Sequence, residues 1–283
     1  MAPPPPRIMT STDTDRSHHM QPTTPRPVAA RAQVSSQPLI SVVVPTFNSC
    51  EWMGPTLDSL AAQTERDFEV IVSDGASTDG TLALIETYRP RLPSLTLLSR
   101  PDRGVYDAIN QALPACRGNW IYVLGSDDCL HASSTLARLA PTLRASTAGL
   151  VYGDVRITGP NRLVPSGGRY GGPFTLARLL GQNICHQAVF ARFELLNRLG
   201  SFDLRFKVWA DWDIAQRAFV DGAVQWIDLV VADYSPAGMS SQQQDAEFER
   251  TKWARMFKLW VRKPLSLQVP LALVQQQYWD LKG

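Results

Sequence analysis

The 283-residue chain is poor in cysteine and lacks any long apolar run or block of one charge sign. Cys50, Cys116, Cys129 and Cys185 lie far apart with no Cys-x-x-Cys pair, which argues against a disulfide framework or zinc site and fits a reducing cytoplasm. A net charge of +2 without a Lys/Arg-rich block gives no footprint for nucleic acid. No apolar segment approaches the roughly 20 residues needed to span a bilayer. A Gly-x-Gly-x-x-Gly after the first β-prone run is missing, and so is P-loop spacing anywhere, which disfavours a dinucleotide fold of the usual kind and a P-loop.

What is present begins with Met1 to Gln37, rich in Pro, Thr, Ser and Arg and opened by Pro3-Pro4-Pro5-Pro6. It has no apolar periodicity, so it is expected to be disordered, and it lacks the apolar core of a secretory signal. His18-His19 inside it reads as incidental. Apolar content of 44% with 19% charged residues then fits an ordinary globular domain.

From Leu39 the chain alternates strands and helices over short connections. Leu39-Ile40-Ser41-Val42-Val43-Val44 is a β-branched run stopped by Pro45, and a helix follows from Gly54 or Pro55 to Gln63. Phe68 to Val72, Leu95 to Leu98 and Trp120 to Leu124 read as strands, with helices over Thr81 to Tyr88 and Val105 to Leu113. This is the signature of a parallel sheet covered on both faces. Pro45-Thr46, Asp74, Asp102-Arg103 and Asp127-Asp128 each follow a strand's carboxyl end, so they should converge on one crevice. Asp127-Asp128 has two readings: one carboxylate ligates a divalent ion, or the pair is a solvated turn capping a helix near Ser133 or Ser134.

Four segments resemble family 2 glycosyltransferases of the GT-A fold. They are Val42 to Asn48, Ser73-Asp74-Gly75-Ala76-Ser77-Thr78-Asp79-Gly80-Thr81, Pro101 to Asn110 and Ser126-Asp127-Asp128, in family order. The likeness continues more loosely through His186-Gln187-Ala188-Val189-Phe190 and Gly200 to Asp203 to Ala210-Asp211-Trp212-Asp213. It implies an α/β, mostly parallel Rossmann-like sheet flanked by helices, with a C-terminal helical extension. It also implies an inverting hexosyltransferase that moves a sugar from a nucleoside-diphosphate sugar, expected to be a UDP-sugar, to a hydroxyl. Carried onto this chain, Asp74 contacts the base with Arg103 near it, while Pro45, Thr46 and Asn48 shape the base pocket. Asp127 faces the ribose and Asp128 ligates Mn2+ or Mg2+, as in a DXD-like motif. His186 is either a satisfied core residue or part of the nucleotide-sugar site on the acceptor or phosphate side.

The general base should come from the second half. Asp211 takes the family's place for it, with Ala210 where Glu is often found. Against that role, Asp211 suits the N-cap of a helix from Trp212 to Val220, and Asp213 suits an exposed pair with Arg217 four residues on. Asp211 is preferred, because a helix N-terminus keeps an acid ionised. Trp209 and Trp212 are candidates for sugar stacking or core packing, and Tyr106 reads as a structural or supporting contact. From Gln244 to Lys263, aromatic and basic residues interleave, with Trp253, Phe257 and Trp260 on one face. That helix either lies on an anionic membrane, where lipid-linked acceptors occur, or packs on the catalytic domain. Pro264 ends it, and the apolar stretch Leu265 to Trp279 is broken by Pro270.

The expected organisation is a disordered segment 1–37, a nucleotide-sugar half 38–130, an acceptor half 131–241 and C-terminal amphipathic helices 242–283. The expected role is cell-surface polysaccharide or glycan synthesis in the cytoplasm, at the inner face of the membrane. The alternatives are a metal-dependent nucleotidyltransferase, which would show a Gly-rich loop after the first strand, and a non-catalytic nucleotide- or glycan-binding module. Sugar and acceptor preference should lie between Tyr152 and Asn183, where little pattern is legible.

Overall fold

The computed structural model describes residues 37–159, 164–222, 224–235 and 244–262. The segment expected to be disordered, up to residue 36, and the stretch from 263 onward lie outside them.

Strand β1, Ile40–Thr46, is buried along its whole length. Its parallel neighbours are β2, Phe68–Asp74, and β4, Trp120–Val123, and β3, Leu95–Ser99, pairs with the far side of β2. Burial on both faces explains the unbroken apolar runs. Along β1, Val42 and Val44 join a core with Met53, Leu57 and Leu60 of helix α1, Met53–Ala61. Ile85 of α2, Thr81–Thr87, belongs to the same core. Val43 points the other way, toward Tyr106 and Ile109 of α3, Val105–Ala112. The side-chain period of two thus sorts one strand into two cores.

The register pairs Thr46 with Asp74 and Asp74 with Ser99, placing three polar residues in one row at the carboxyl edge. After β4 come β5, Cys129–Leu130, helix α4, Thr135–Ala145, and β6, Leu150–Ile157. Then follow β7, Arg169–Tyr170, α5, Leu176–Gly181, a 3-10 turn His186–Ala188, and β8, Val189–Arg192. The chain ends its described course with α6, Phe193–Leu199, α7, Ala210–Asp221, β9, Val224–Tyr234, and α8, Ala246–Arg262. The sheet order is β3-β2-β1-β4-β8-β6-β9-β5, with β7 on β6. The half up to β4 is parallel, as the alternation of strands and helices predicts. Beyond it, β8 runs antiparallel to both β4 and β6, so the whole sheet is mixed α/β.

Helix α8 divides its faces. Phe248 and Met256 are fully buried, with Phe248 stacked on Trp212 at a centroid distance of 5.0 Å. Trp253, Phe257 and Val261 stay exposed at 42%, 56% and 54%. The side chain of Trp260 lies outside the described residues. The two tryptophans beside the expected base both serve packing: the Trp212 indole N–H donates to the Leu179 carbonyl (2.6 Å), and Trp209 packs edge-on against Trp212 and Phe248.

Candidate active site

The crevice at the carboxyl edge opens into a cavity of about 870 Å3. Six of the nine expected site residues line it: Pro45, Thr46, Asp127, Asp128, His186 and Asp211. They arrive from three places: the end of β1, the tip after β4, and the segment running from the 3-10 turn to α7.

Asp128 is 2% exposed. Its two oxygens accept from the Gln187 side-chain amide (2.7 Å) and the Ser235 backbone N–H (3.1 Å). Burial first, and the adjacent Asp127 charge second, push its pKa up to about 6. The Asp128 carboxylate can fold back over residue 125 because that residue is glycine: a Cβ there would sit 2.6 Å from Asp128 Oδ2. The solvated-turn reading of Asp127-Asp128 therefore fails for Asp128, and the N-cap of α4 is Ser134. Gln187 is itself held, with Oε1 accepting from the Cys185 thiol at 2.8 Å. Burial raises the pKa of that thiol well above the ordinary value, keeping it a donor.

Asp211 lies in the first turn of α7, whose N-cap is Trp209, so the capping role expected for it falls elsewhere. Its carboxylate accepts from Tyr106 Oη (2.8 Å) and Asn183 Nδ2 (2.9 Å), and His186 Nδ1 stands 3.6 Å away. Burial draws the His186 pKa down, but the nearby Asp211 carboxylate, with the charges of Asp128 and Asp127, outweighs it, leaving the pKa raised. Asp213 does pair with Arg217 (2.7 Å), as its spacing suggests, but inside the core, where Arg255 also holds it. It is closed to a substrate.

Three expected site residues stand apart from the cavity lining. The Asp74 carboxylate is buried and accepts from the Ser77 backbone N–H (2.9 Å), the Ser77 hydroxyl and the Ser99 hydroxyl (2.7 Å). Asn48, at φ +46°, uses Oδ1 to accept from the Thr78 N–H (2.9 Å), fastening the 73–81 loop to β1. The Arg103 side chain is 74% exposed, pairs with Asp107, and borders a small side groove. Its sequence neighbour Asp102 lines the cavity instead, 2.8 Å from where a Gly75 Cβ would stand. Lys207, exposed at the cavity wall, had no signal in the sequence: it is a lone lysine in an irregular segment. Gln187 carries no sequence signal beyond its place beside His186, because amides are common everywhere.

Residues 41–193, slightly more than half of the chain, match the model of "Glycosyl transferase family 2". The chain belongs to that family. A "PGL/p-HBAD biosynthesis glycosyltransferase" of Mycobacterium bovis (strain BCG / Pasteur 1173P2) is 38% identical to this glycosyltransferase over 243 residues, 84% of this chain and 88% of the relative. Its fold is that of solved GT-A enzymes. TarS from S. aureus, residues 1–349 in complex with UDP-GlcNAc, aligns at TM-score 0.59 and 21% identity over 78% of this chain and 65% of that one. This chain spans only 39% of the longer TarS structure. The mannosyltransferase PcManGT from Pyrobaculum calidifontis, in complex with GDP-Man and Mn2+, aligns at TM-score 0.57 and 22% identity over 86% and 74% of the two chains.

Among the described residues no helix is long and apolar enough to cross a membrane. Nor do three or more His, Cys, Asp or Glu side chains gather there as a closed metal cage. The donor set at the β4 tip nevertheless fits a hard cation. It offers buried carboxylate oxygens with an adjacent like charge, suited to an ion that takes its other ligands from phosphate and water.

Proposed function

We propose that this glycosyltransferase moves a sugar from a nucleoside-diphosphate sugar to a hydroxyl acceptor with inversion. The observation that carries the reading is that Asp128 and Asp211 open into the same cavity, with His186 and Gln187 between them in the wall. The complexes of TarS with UDP-GlcNAc and of PcManGT with GDP-Man and Mn2+ support a nucleotide-sugar donor and a divalent ion. UDP is the nucleoside diphosphate to try first. Pro45, Thr46, Phe47 and Asp102 form the nucleotide end, while Asp74 and Asn48 brace it from behind.

Asp128, with Asp127 beside it, would hold Mn2+ or Mg2+, which as a Lewis acid stabilises the departing diphosphate. Lys207 adds a cation at the wall for the same charge. Asp211 removes the proton from the acceptor hydroxyl as its oxygen bonds to the anomeric carbon. The bond from that carbon to the phosphate oxygen breaks on the opposite face, and the electron pair leaves with the diphosphate. One displacement without a covalent sugar intermediate gives inversion. Tyr106 and Asn183 hold the Asp211 carboxylate toward the cavity, an orientation the transfer needs.

The exposed Trp253, Phe257 and Val261 stripe, with Lys258 exposed alongside, supports peripheral contact with an anionic membrane. The relative named for PGL/p-HBAD biosynthesis supports a place in a glycan-building pathway.

The test is a panel of nucleotide sugars with Mn2+ or Mg2+, read as release of the nucleoside diphosphate. Donor turnover that needs the ion and disappears in Asp128→Asn supports the reading. Turnover indifferent to both sinks it.

A further inference from the structure

Asp245, immediately before α8, makes two connections where a helix cap needs one. Its backbone carbonyl accepts from the Glu249 N–H (3.0 Å) and its Oδ1 from the Phe248 N–H (3.0 Å), which is the arrangement of an N-cap. One side-chain oxygen completes such a cap, and serine or asparagine supplies it as well as aspartate does. Here the second oxygen is also engaged. Oδ2 accepts from the backbone N–H groups of Val208 (3.0 Å) and Trp209 (3.4 Å), and the whole residue is buried.

Val208 and Trp209 are the two residues that lead into α7. Trp209 is its N-cap, and no side-chain hydrogen bond closes that cap from within the helix. Asp245, 36 residues further along the chain than Trp209, holds the entry instead. The same peptide is gripped at its other pole, because Tyr106 Oη donates to the Val208 carbonyl and also reaches Asp211 at 2.8 Å. Asp211 follows two residues after Trp209, about 3 Å along the helix axis. The other contacts between α8 and α7 join side chains: Phe248 on Trp212, Lys252 Nζ 5.2 Å above the Trp212 ring, and Arg255 with Asp213. Asp245 holds the backbone itself at the point where the helix starts. A buried N–H left without its acceptor is costly, so removing Oδ2 would drive the 208–209 peptide to turn and carry Asp211 with it.

We propose that Asp245 is a positioning residue for the transfer: by holding the Val208 and Trp209 N–H groups it sets the direction in which Asp211 faces the acceptor hydroxyl. This rests on Asp211 being the base of the proposed transfer. Capping α8 would call for no second oxygen; aiming α7 does.

Asp245→Ser keeps an oxygen for the Phe248 N–H and withdraws the one used by Val208 and Trp209. With the nucleotide sugar that turns over in the full chain, kcat for release of the nucleoside diphosphate should fall by about tenfold, since a misplacement of about 1 Å at a reacting group can cost a hundredfold. Donor KM and the affinity for UDP with Mn2+ should stay within about twofold, because the donor end of the site is untouched. Asp245→Asn, which keeps the shape but only one accepting oxygen, should show the same split and decides the matter if the serine variant does not fold. Ile85→Ala, in the core on the other face of the sheet, is the control: it should lower the melting temperature yet keep kcat when every variant is assayed well below its midpoint. The losses in Asp245→Ser and Tyr106→Phe should be non-additive, because both act on one peptide, and Asp245→Ser should cost nothing further in an Asp211→Asn background. Unchanged kcat in the folded Asp245 variants, or losses that multiply in the double variant, would make Asp245 a cap and nothing more. Full turnover in Asp211→Asn would remove the base reading and this inference with it. An inactive Asp211→Asn beside fully active Asp245 variants would remove this inference alone.

Discussion

Tyr106 and Asp211, 105 residues apart in the chain, share a hydrogen bond of 2.8 Å that ties α3 to the first turn of α7. Burial first, and the Asp211 charge second, hold the phenol's pKa well above its ordinary value, so Tyr106 remains a donor at any working pH. Asp211→Asn should retain nucleoside-diphosphate binding and lose transfer by about a thousandfold, within the range of general-base contributions. Tyr106→Phe should fold with a loss of about 1–2 kcal/mol and transfer more slowly with unchanged donor affinity. Steady-state kinetics beside donor titration checks both, and full turnover in Asp211→Asn places the base elsewhere.

Asp128 links stability to pH. Its folded pKa, about 6, lies above the ordinary 3.8, so protonation is favoured by folding, and that stabilising contribution is lost as pH rises from about 4 through 6. At pH 8 the ionised carboxylate then weighs against the native state by about 3 kcal/mol. Asp128→Asn should therefore unfold at a higher temperature than the parent at pH 8 without divalent ions, with the gap closing toward pH 4. The same variant should lose Mn2+-supported nucleotide binding, and in the parent that binding should weaken below about pH 6 as protons compete. Melting curves across pH decide it: a gap that grows toward acid contradicts the burial argument.

Lys207 and Arg103 offer a contrast between two nearby cations. Lys207 lines both the cavity and the side groove, while Arg103 is spent on Asp107 and borders the side groove alone. Lys207→Ala should raise KM for the donor by about tenfold, a charge-assisted contact's worth. Arg103→Ala should change it by less than about threefold, because an exposed ion pair contributes little. Equal losses in the two variants would mean that Arg103 swings into the cavity with substrate.

Helix α8 should separate stability from surface binding. Phe248→Ala removes a fully buried ring from a cluster with Phe206, Trp209 and Trp212, at a cost of about 3–5 kcal/mol. Trp253→Ser with Phe257→Ser should leave stability within about 0.5 kcal/mol per site. The pair should lower partition onto phosphatidylglycerol vesicles by about tenfold. Vesicle sedimentation reads the second effect, and undiminished partition would remove the membrane from the account.

The parallel half of the fold was legible because each β-branched run sits between turn residues and amphipathic helices, and burial on both faces leaves no polar alternation to misread. That Asp128, His186 and Asp211 would meet in one crevice was legible through the company they keep along the chain. Asp74 and Asn48 show the limit. Sequence places them at the right edge, but the register turns their polar atoms into the 73–81 loop rather than outward. The antiparallel entry of β8 into an otherwise parallel run of neighbours was illegible because β8 is only four residues long and follows a 3-10 turn at His186–Ala188.

The stacking of Phe248 on Trp212 has a mechanical consequence. The outermost described helix is bolted to the rod that presents Asp211, so whatever α8 leans against will set the tilt of that rod. Damage to the bolt should therefore register as a misaimed proton acceptor well before the sheet itself begins to melt.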